Sequence, residues 1–216
     1  ERYLIPALEA EMMVSEDEFI KHKKKVRFDV DAMPQGYGWV FPKKNHLSIG
    51  IASEKRGNIG LKDAYKKYVT FLGLNNILKE EIHGFQIPIK SRKEFSGKKV
   101  ILTGDAAGLA DPLVAEGISN AMISGKLAAE AVIEGNLEWS EVEKVYNKKL
   151  RQEIVTQTKT SRLLSSLFYH HPRLRKYVLT RKGQRLTEYF TDVFSGVRRY
   201  PEGIPEILRS FGKAMF

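Results

Sequence analysis

The sequence predicts a mixed chain of class α+β / α/β, and two observations carry that reading. Over roughly the first ninety residues, runs rich in β-branched, aromatic or alternating side chains lie between turn signals, the pattern of an antiparallel sheet with one covered face. From Trp139 onward, apolar residues recur at helical spacing instead. Between these regions, residues 98 to 121 (KKVILTGDAAGLADPLVAEGISNA) read as a strand, a tight acidic turn and a glycine-led helix in immediate succession.

Strands are expected over Tyr3 to Val14, Val26 to Asp31, Tyr37 to Phe41 and Leu47 to Ala52, with turns at Pro34-Gln35-Gly36 and Lys43-Lys44-Asn45. Leu61, Ala64, Tyr65, Tyr68, Val69 and Leu72 fall on one helical face, and Gly73 ends that helix. Ile82 to Ile89 returns as a last strand, with Pro88 favouring an edge or a strand end. Val100, Ile101 and Leu102 form a short apolar run expected in a parallel sheet, leaving it at Gly104, and Ile118 to Val132 is the small-residue helix that Gly117 opens.

Trp139, Val142, Tyr146, Leu150 and Ile154 make the stripe of the next helix, with Ser140 and Glu143 as an imperfect capping box. That helix continues through Leu163, Leu164, Leu167 and Phe168 and stops near His171-Pro172, because proline disfavours helix in the residue before it. Shorter helices are expected at Tyr177 to Phe194 and Ile204 to Phe211. The expected domains are 1–95, a substrate-binding sheet; 96–135, the end of a cofactor domain; and 136–216, a helical region.

The chain has 216 residues and no cysteine, which excludes disulfides, thiolate metal sites and thiol catalysis within them. No apolar run approaches the roughly 20 residues that span a bilayer. His22, His46, His83, His170 and His171 show no metal-ligand spacing. The net charge is +10, and between Asn147 and Arg185 eleven basic residues face the single acid Glu153. Such a surface is either a solvated helix face or one that attracts anionic lipid; nucleic acid is not expected as a partner. The expected location is cytoplasmic, peripheral at a membrane.

Asp105 sits at the tip of the strand, where open α/β sheets bind ligands. It either satisfies local N–H groups or accepts hydrogen bonds from sugar or polyol hydroxyls, and Ala106, Ala107 and Gly108 leave room for a ligand. Gly117, after Asp111, Pro112 and Glu116, opens a helix whose unpaired N–H groups face any electron-rich atom placed there.

Gly104-Asp105-Ala106-Ala107-Gly108, Pro112 and Ala115-Glu116-Gly117-Ile118 resemble the second flavin-binding motif of the aromatic-hydroxylase superfamily of flavoproteins, most closely its geranylgeranyl reductase branch. Gly36-Tyr37-Gly38-Trp39-Val40-Phe41-Pro42-Lys43 and His46-Leu47-Ser48-Ile49-Gly50-Ile51 are similar to the branch's GYxWxFPK strand and its neighbour. The likeness covers roughly residues 1 to 135. It implies an FAD-dependent oxidoreductase that reduces carbon–carbon double bonds of a geranylgeranyl (prenyl) chain. Under it, FAD is held by Gly104, Asp105, Ala106, Pro112, Gly117 and Ile118, and a prenyl lipid or prenylated small molecule lies on Tyr37, Trp39 and Phe41.

No residue is assigned as catalytic proton donor, and the electron donor is not named by the residues present. Such proteins open with a βαβ unit carrying GxGxxG, a spacing that the glycines of this chain nowhere give. The chain is therefore read as a C-terminal portion of such a protein, expected to bind FAD weakly or not at all by itself and to be inactive alone. Two other readings stay open: a flavin-dependent aromatic monooxygenase, and a non-catalytic basic fragment that binds a membrane or a partner. On the residues alone, Tyr37, Trp39 and Phe41 equally suit a half-buried sheet face, and Lys43 an exposed turn.

Overall fold

The computed structural model describes residues 3–55, 57–194 and 197–201. They divide into two compact units, one from Leu4 to Ile87 and one from Pro88 onward that also takes in Tyr3.

The first unit is built on a sheet of order β2-β3-β4-β1-β5, comprising β1 (Leu4–Val14), β2 (Arg27–Val30), β3 (Gly36–Pro42), β4 (Leu47–Ser53) and β5 (Ile77–Pro88). The period of two sorts each strand. Leu8, Ala10 and Met12 of β1 pair across from Ile51, Ile49 and Leu47 of β4, and all six join Val40, Met33 and the helix residues Tyr65 and Tyr68 in one core. Helix α2 (Leu61–Leu72) buries those tyrosines and ends at Gly73 in a left-handed cap, as its spacing predicts. Both phenols also find carboxylates: Tyr65 donates to Glu80 at 2.8 Å and Tyr68 to Asp29 at 2.6 Å, and burial followed by those acceptors pushes both pKa values up.

Two elements of this unit differ from expectation. Helix α1 (Glu16–His22) lies in a stretch whose charges hide its periodicity; its first turn is acidic and its last turn basic, which suits the helix dipole. Strand β5 begins at Ile77, not Ile82. Lys79, Glu80 and Glu81 conceal its start, yet charges are what an exposed edge strand carries, and β5 is an edge.

In the second unit the run after Lys99 is a strand whose neighbour among the described residues is antiparallel. It is β7 (Val100–Ile101), paired antiparallel with β6 (Ser96–Gly97), and Val100 is exposed. No parallel strand pairs with it among the described residues. Lys98 and Lys99 both have positive φ, 51° and 62°, the signature of a tight type I′ hairpin between the two strands. Side chains with a Cβ resist that conformation by about 1–2 kcal/mol each.

Helices α3 (Ile118–Glu134) and α4 (Trp139–Leu150) pack as a pair, and Phe95, Leu109, Leu127, Tyr146, Leu150 and Ile154 fill the core between them and the turn. Tyr146 donates to Leu102 O at 2.6 Å, and burial raises its phenol to about 12. Ser140 and Glu143 do not form a capping box: Glu138 is the N-cap residue, and Glu143 accepts from Ser96 at 2.8 Å instead. One wide helical turn, Arg151–Val155, joins α4 to α5 (Thr156–His170), which stops before Pro172 as expected. Helix α6 runs from Pro172 to Phe194, earlier than Tyr177, because proline is well suited to a first helical position; it kinks at Lys182. The helix expected at Ile204 to Phe211 lies outside the described residues.

Candidate functional site

After β7 the chain makes a single tight helical turn, Gly104–Ala107, that is clamped from two sides. Gly104 N–H donates to Ser124 Oγ of α3 at 2.9 Å. On the other side, Arg92 donates its Nε–H to Ala106 O at 2.6 Å and its backbone N–H to Ala107 O at 3.0 Å. Gly108 closes the turn at φ +71°, and a Cβ there would come within 2.2 Å of Lys90 O, so the position admits glycine on both counts.

Asp105 is left pointing outward. Its carboxylate has no hydrogen-bond partner among the described residues, and its Oδ1 lies 3.2 Å from where a Cβ on Gly117 would sit. The absence of a side chain at Gly117 thus lets a carboxylate rest beside the N-terminus of α3. That end is open: Gly117 is the N-cap residue without a capping side chain, and Ile118, the first helical residue, is exposed. Glu116 Oε1 takes the N–H of Ser119 at 2.8 Å, while the N–H of Ile118 has no acceptor within the helix. Gly104, Asp105, Ala106, Gly117 and Ile118 therefore share one neighbourhood. Pro112 is buried in the connecting loop.

The residue that organises that loop is Asp111, which sequence reasoning placed only in passing. Its Oδ1 accepts from Leu113 N–H (2.8 Å), Val114 N–H (3.2 Å) and the Ser161 hydroxyl (2.7 Å), although only 8% of the residue is exposed. Its own N–H bonds Glu116 O at 2.7 Å, and its carbonyl accepts from Ala115 N–H at 2.8 Å. Tyr169 of α5 donates to Leu113 O at 2.8 Å, and Asn120 to Leu109 O at 2.7 Å. Helix α5 thereby holds Asp111 and Leu113, and with them the loop that enters α3. Burial pushes the Asp111 carboxyl above its ordinary pKa, and the Ser161, Leu113 and Val114 donors oppose that shift only in part. An aspartate before proline was the available signal; Ser161, fifty residues away, was not.

On the first unit, Tyr37, Trp39 and Phe41 do share a face, the one opposite the core. Their rings follow one another at 5.8 Å and 6.1 Å between centroids, and Phe28 of β2 adds a fourth ring, 5.8 Å from Tyr37 and 5.2 Å from Phe41. Trp39 lies flat against Gly50, where a Cβ would meet its ring at 2.2 Å. Its indole N–H reaches Ser48 Oγ at 3.3 Å, and the serine hydroxyl passes on to Glu9. Lys43 is exposed at the turn.

The basic segment divides into two populations. Lys149 bridges Glu130 and Glu134, Arg151 donates to Lys93 O at 2.9 Å and covers the Phe95 ring, and Arg162 covers the Tyr3 ring. Arg175 is only 4% exposed: its guanidinium donates to Phe168 O at 2.7 Å and stacks on the Phe168 ring. Arg173, Lys176, Arg181 and Arg185 do face solvent, beside exposed Leu174 and Tyr177. No described helix is long and apolar enough to cross a membrane, and no cluster of metal-ligating side chains occurs among the described residues.

No family model matches the sequence. A chloroplastic geranylgeranyl diphosphate reductase from Arabidopsis thaliana is 37% identical over 114 residues, 49% of this chain and 23% of that protein. A digeranylgeranylglycerophospholipid reductase from Methanosarcina mazei is 34% identical over 145 residues, 62% of this chain and 35% of that protein. By sequence this chain is similar to proteins named as geranylgeranyl reductases. It spans about a quarter to a third of the length of these curated relatives.

Its fold is that of a geranylgeranyl bacteriochlorophyll reductase-like protein from Thermoplasma acidophilum, with TM-score 0.64 and 23% identity over 78% of this chain and 44% of the other. A flavin-dependent halogenase shares the fold at TM-score 0.55 and 19% identity, over 79% of this chain and 33% of that one.

Proposed function

We propose that this chain is part of an FAD-dependent oxidoreductase that reduces carbon–carbon double bonds of a geranylgeranyl chain. The observation that carries the reading is the unpartnered Asp105 carboxylate beside Gly117 and the open N-terminus of α3. That donor and acceptor set fits a flavin. A carboxylate suits the hydroxyls of the ribityl chain, and free helix N–H groups suit the ring edge where negative charge collects on reduction, an interaction of about 0.3–1 kcal/mol from the dipole alone.

Asp105 would hold the ribityl chain, and Gly117 and Ile118 the ring edge; Gly104 and Ala106 keep the turn close and bare, and Pro112 stiffens the loop that Asp111 anchors. Bound FAD supplies the hydride chemistry, which no side chain of this protein can replace. The aromatic row of Tyr37, Trp39 and Phe41 offers an apolar wall to an isoprenoid chain. The sequence relatives named for geranylgeranyl diphosphate and for digeranylgeranylglycerophospholipid support a prenyl substrate. A substrate of that kind resides in a bilayer, and the exposed Arg173, Lys176, Arg181 and Arg185 beside Leu174 and Tyr177 suit contact with an anionic membrane surface.

The test is reduction of a prenyl lipid by the full-length gene product with FAD under a chemical reductant, followed by mass analysis for added hydrogen. Gain of two mass units per reduced double bond supports the reading. Hydroxylation of an aromatic phenol without prenyl reduction would replace it with a monooxygenase, and absence of flavin absorbance from the full-length protein would remove the cofactor.

A further inference from the structure

The second unit carries a cleft of about 520 Å³ between residues 90–94 and the β6–β7 hairpin. Lys90, Arg92, Lys93 and Lys98 line it, against one acid, Glu94. Among the described residues, none of these four cations has a carboxylate partner, and Arg92 engages only its Nε–H, on Ala106 O. Lys149 of the same unit, by contrast, is neutralised by Glu130 and Glu134. Cations gathered in a concave surface without counter-charge repel one another and concentrate anions.

The backbone of the hairpin adds an independent observation. Its two turn residues, Lys98 and Lys99, are both in the left-handed region, where a hairpin of this type favours Asn-Gly. The chain keeps lysines there against the local preference, and strained backbone of this kind gathers at ligand clamps.

We infer that this cleft is a binding site for a diphosphate group. Several lysines and the planar fork of an arginine, spread along the cleft, suit a multiply charged phosphate better than a single carboxylate. Two sources share that chemistry: the diphosphate of a dinucleotide and that of a prenyl diphosphate. The site stands on charge and geometry and does not depend on the flavin assignment.

Pyrophosphate titrated calorimetrically into the 216-residue chain at low salt is the test, with Lys93→Glu/Lys98→Glu as the charge variant and Lys62→Glu/Lys66→Glu, on exposed positions of α2, as the control of equal charge. The expected result is saturable binding that weakens at least ten-fold in the first variant, less than two-fold in the control, and steadily with added salt. A second variant, Lys98→Asn/Lys99→Gly, installs the preferred turn; it should melt at a higher temperature than the parent yet bind pyrophosphate more weakly. Displacement of pyrophosphate by ADP or by geranyl diphosphate then names the source, and preference for either supports the site. Absence of saturable binding, equal losses in the charge variant and its control, or unchanged affinity in the variant with the improved turn would each overturn it.

Discussion

Replacing Asp111 with alanine tests whether one buried carboxylate holds the entrance to α3. The side chain accepts Leu113 N–H, Val114 N–H and the Ser161 hydroxyl. Truncation leaves all three donors behind. Ser161 can rotate, and its oxygen already lies 3.2 Å from Leu113 N–H, so part of the loss is recovered. Val114 is half-buried and water can reach it. With about 1–3 kcal/mol for each buried donor left unsatisfied, the net loss of stability is about 2–3 kcal/mol. Asp111→Asn keeps an accepting oxygen and should lose about 1 kcal/mol at neutral pH.

The two variants also separate charge from geometry. Burial raises the folded pKa of Asp111 above the unfolded value of about 3.9, so between those values the folded state holds more protons than the unfolded one. The stability this group contributes is complete below the unfolded pKa and is lost as pH rises through the folded pKa. Asp111→Asn lacks that dependence, so the gap between parent and variant should narrow as pH is raised from about 4 to 7. Urea unfolding followed by circular dichroism across that range reads both quantities. A loss below about 1 kcal/mol for Asp111→Ala, or a gap that widens with pH, would refute the reasoning.

Asp105→Ala in the full-length protein should weaken FAD binding by about 1–3 kcal/mol while leaving folding unchanged, since the carboxylate is exposed and bonds nothing in the described chain; quenching of flavin fluorescence on titration measures it. Gly50→Ala forces Trp39 off its seat, because the new methyl would lie 2.2 Å from the ring; a cost of about 1–3 kcal/mol in urea unfolding, with a shifted tryptophan emission, is expected. Binding to anionic vesicles, absent with neutral ones and fading with salt, should be abolished by Arg173→Glu/Lys176→Glu/Arg181→Glu in a folded protein. Arg175→Ala should instead lower the melting temperature, because that guanidinium is buried against Phe168 and cannot meet a lipid headgroup.

Where side-chain periodicity coincides with burial, the sequence alone determined the outcome. The alternation in β1 and β4, the α2 stripe ending at Gly73 and the row Val142-Tyr146-Leu150-Ile154 each appear where the pattern places them, because a face buried every second or every third to fourth residue is written locally. The turn at Gly104–Gly108 was legible because both glycines take positive φ, a local demand that glycine meets without strain.

Pairing and partnership were decided only in three dimensions. Val100 and Ile101 read as a strand, but their composition does not show that two left-handed lysines pair them with Ser96 and Gly97. Arg175 carries the same charge in sequence as Arg173, yet one is buried under an aromatic ring and the other faces solvent. Asp111 reads as a loop aspartate until α5 brings Ser161 beside it, fifty positions away in the chain. Hydrogen-bond partners at such separations are set by how helices pack, and a sequence read residue by residue holds the donors and acceptors without the distances between them.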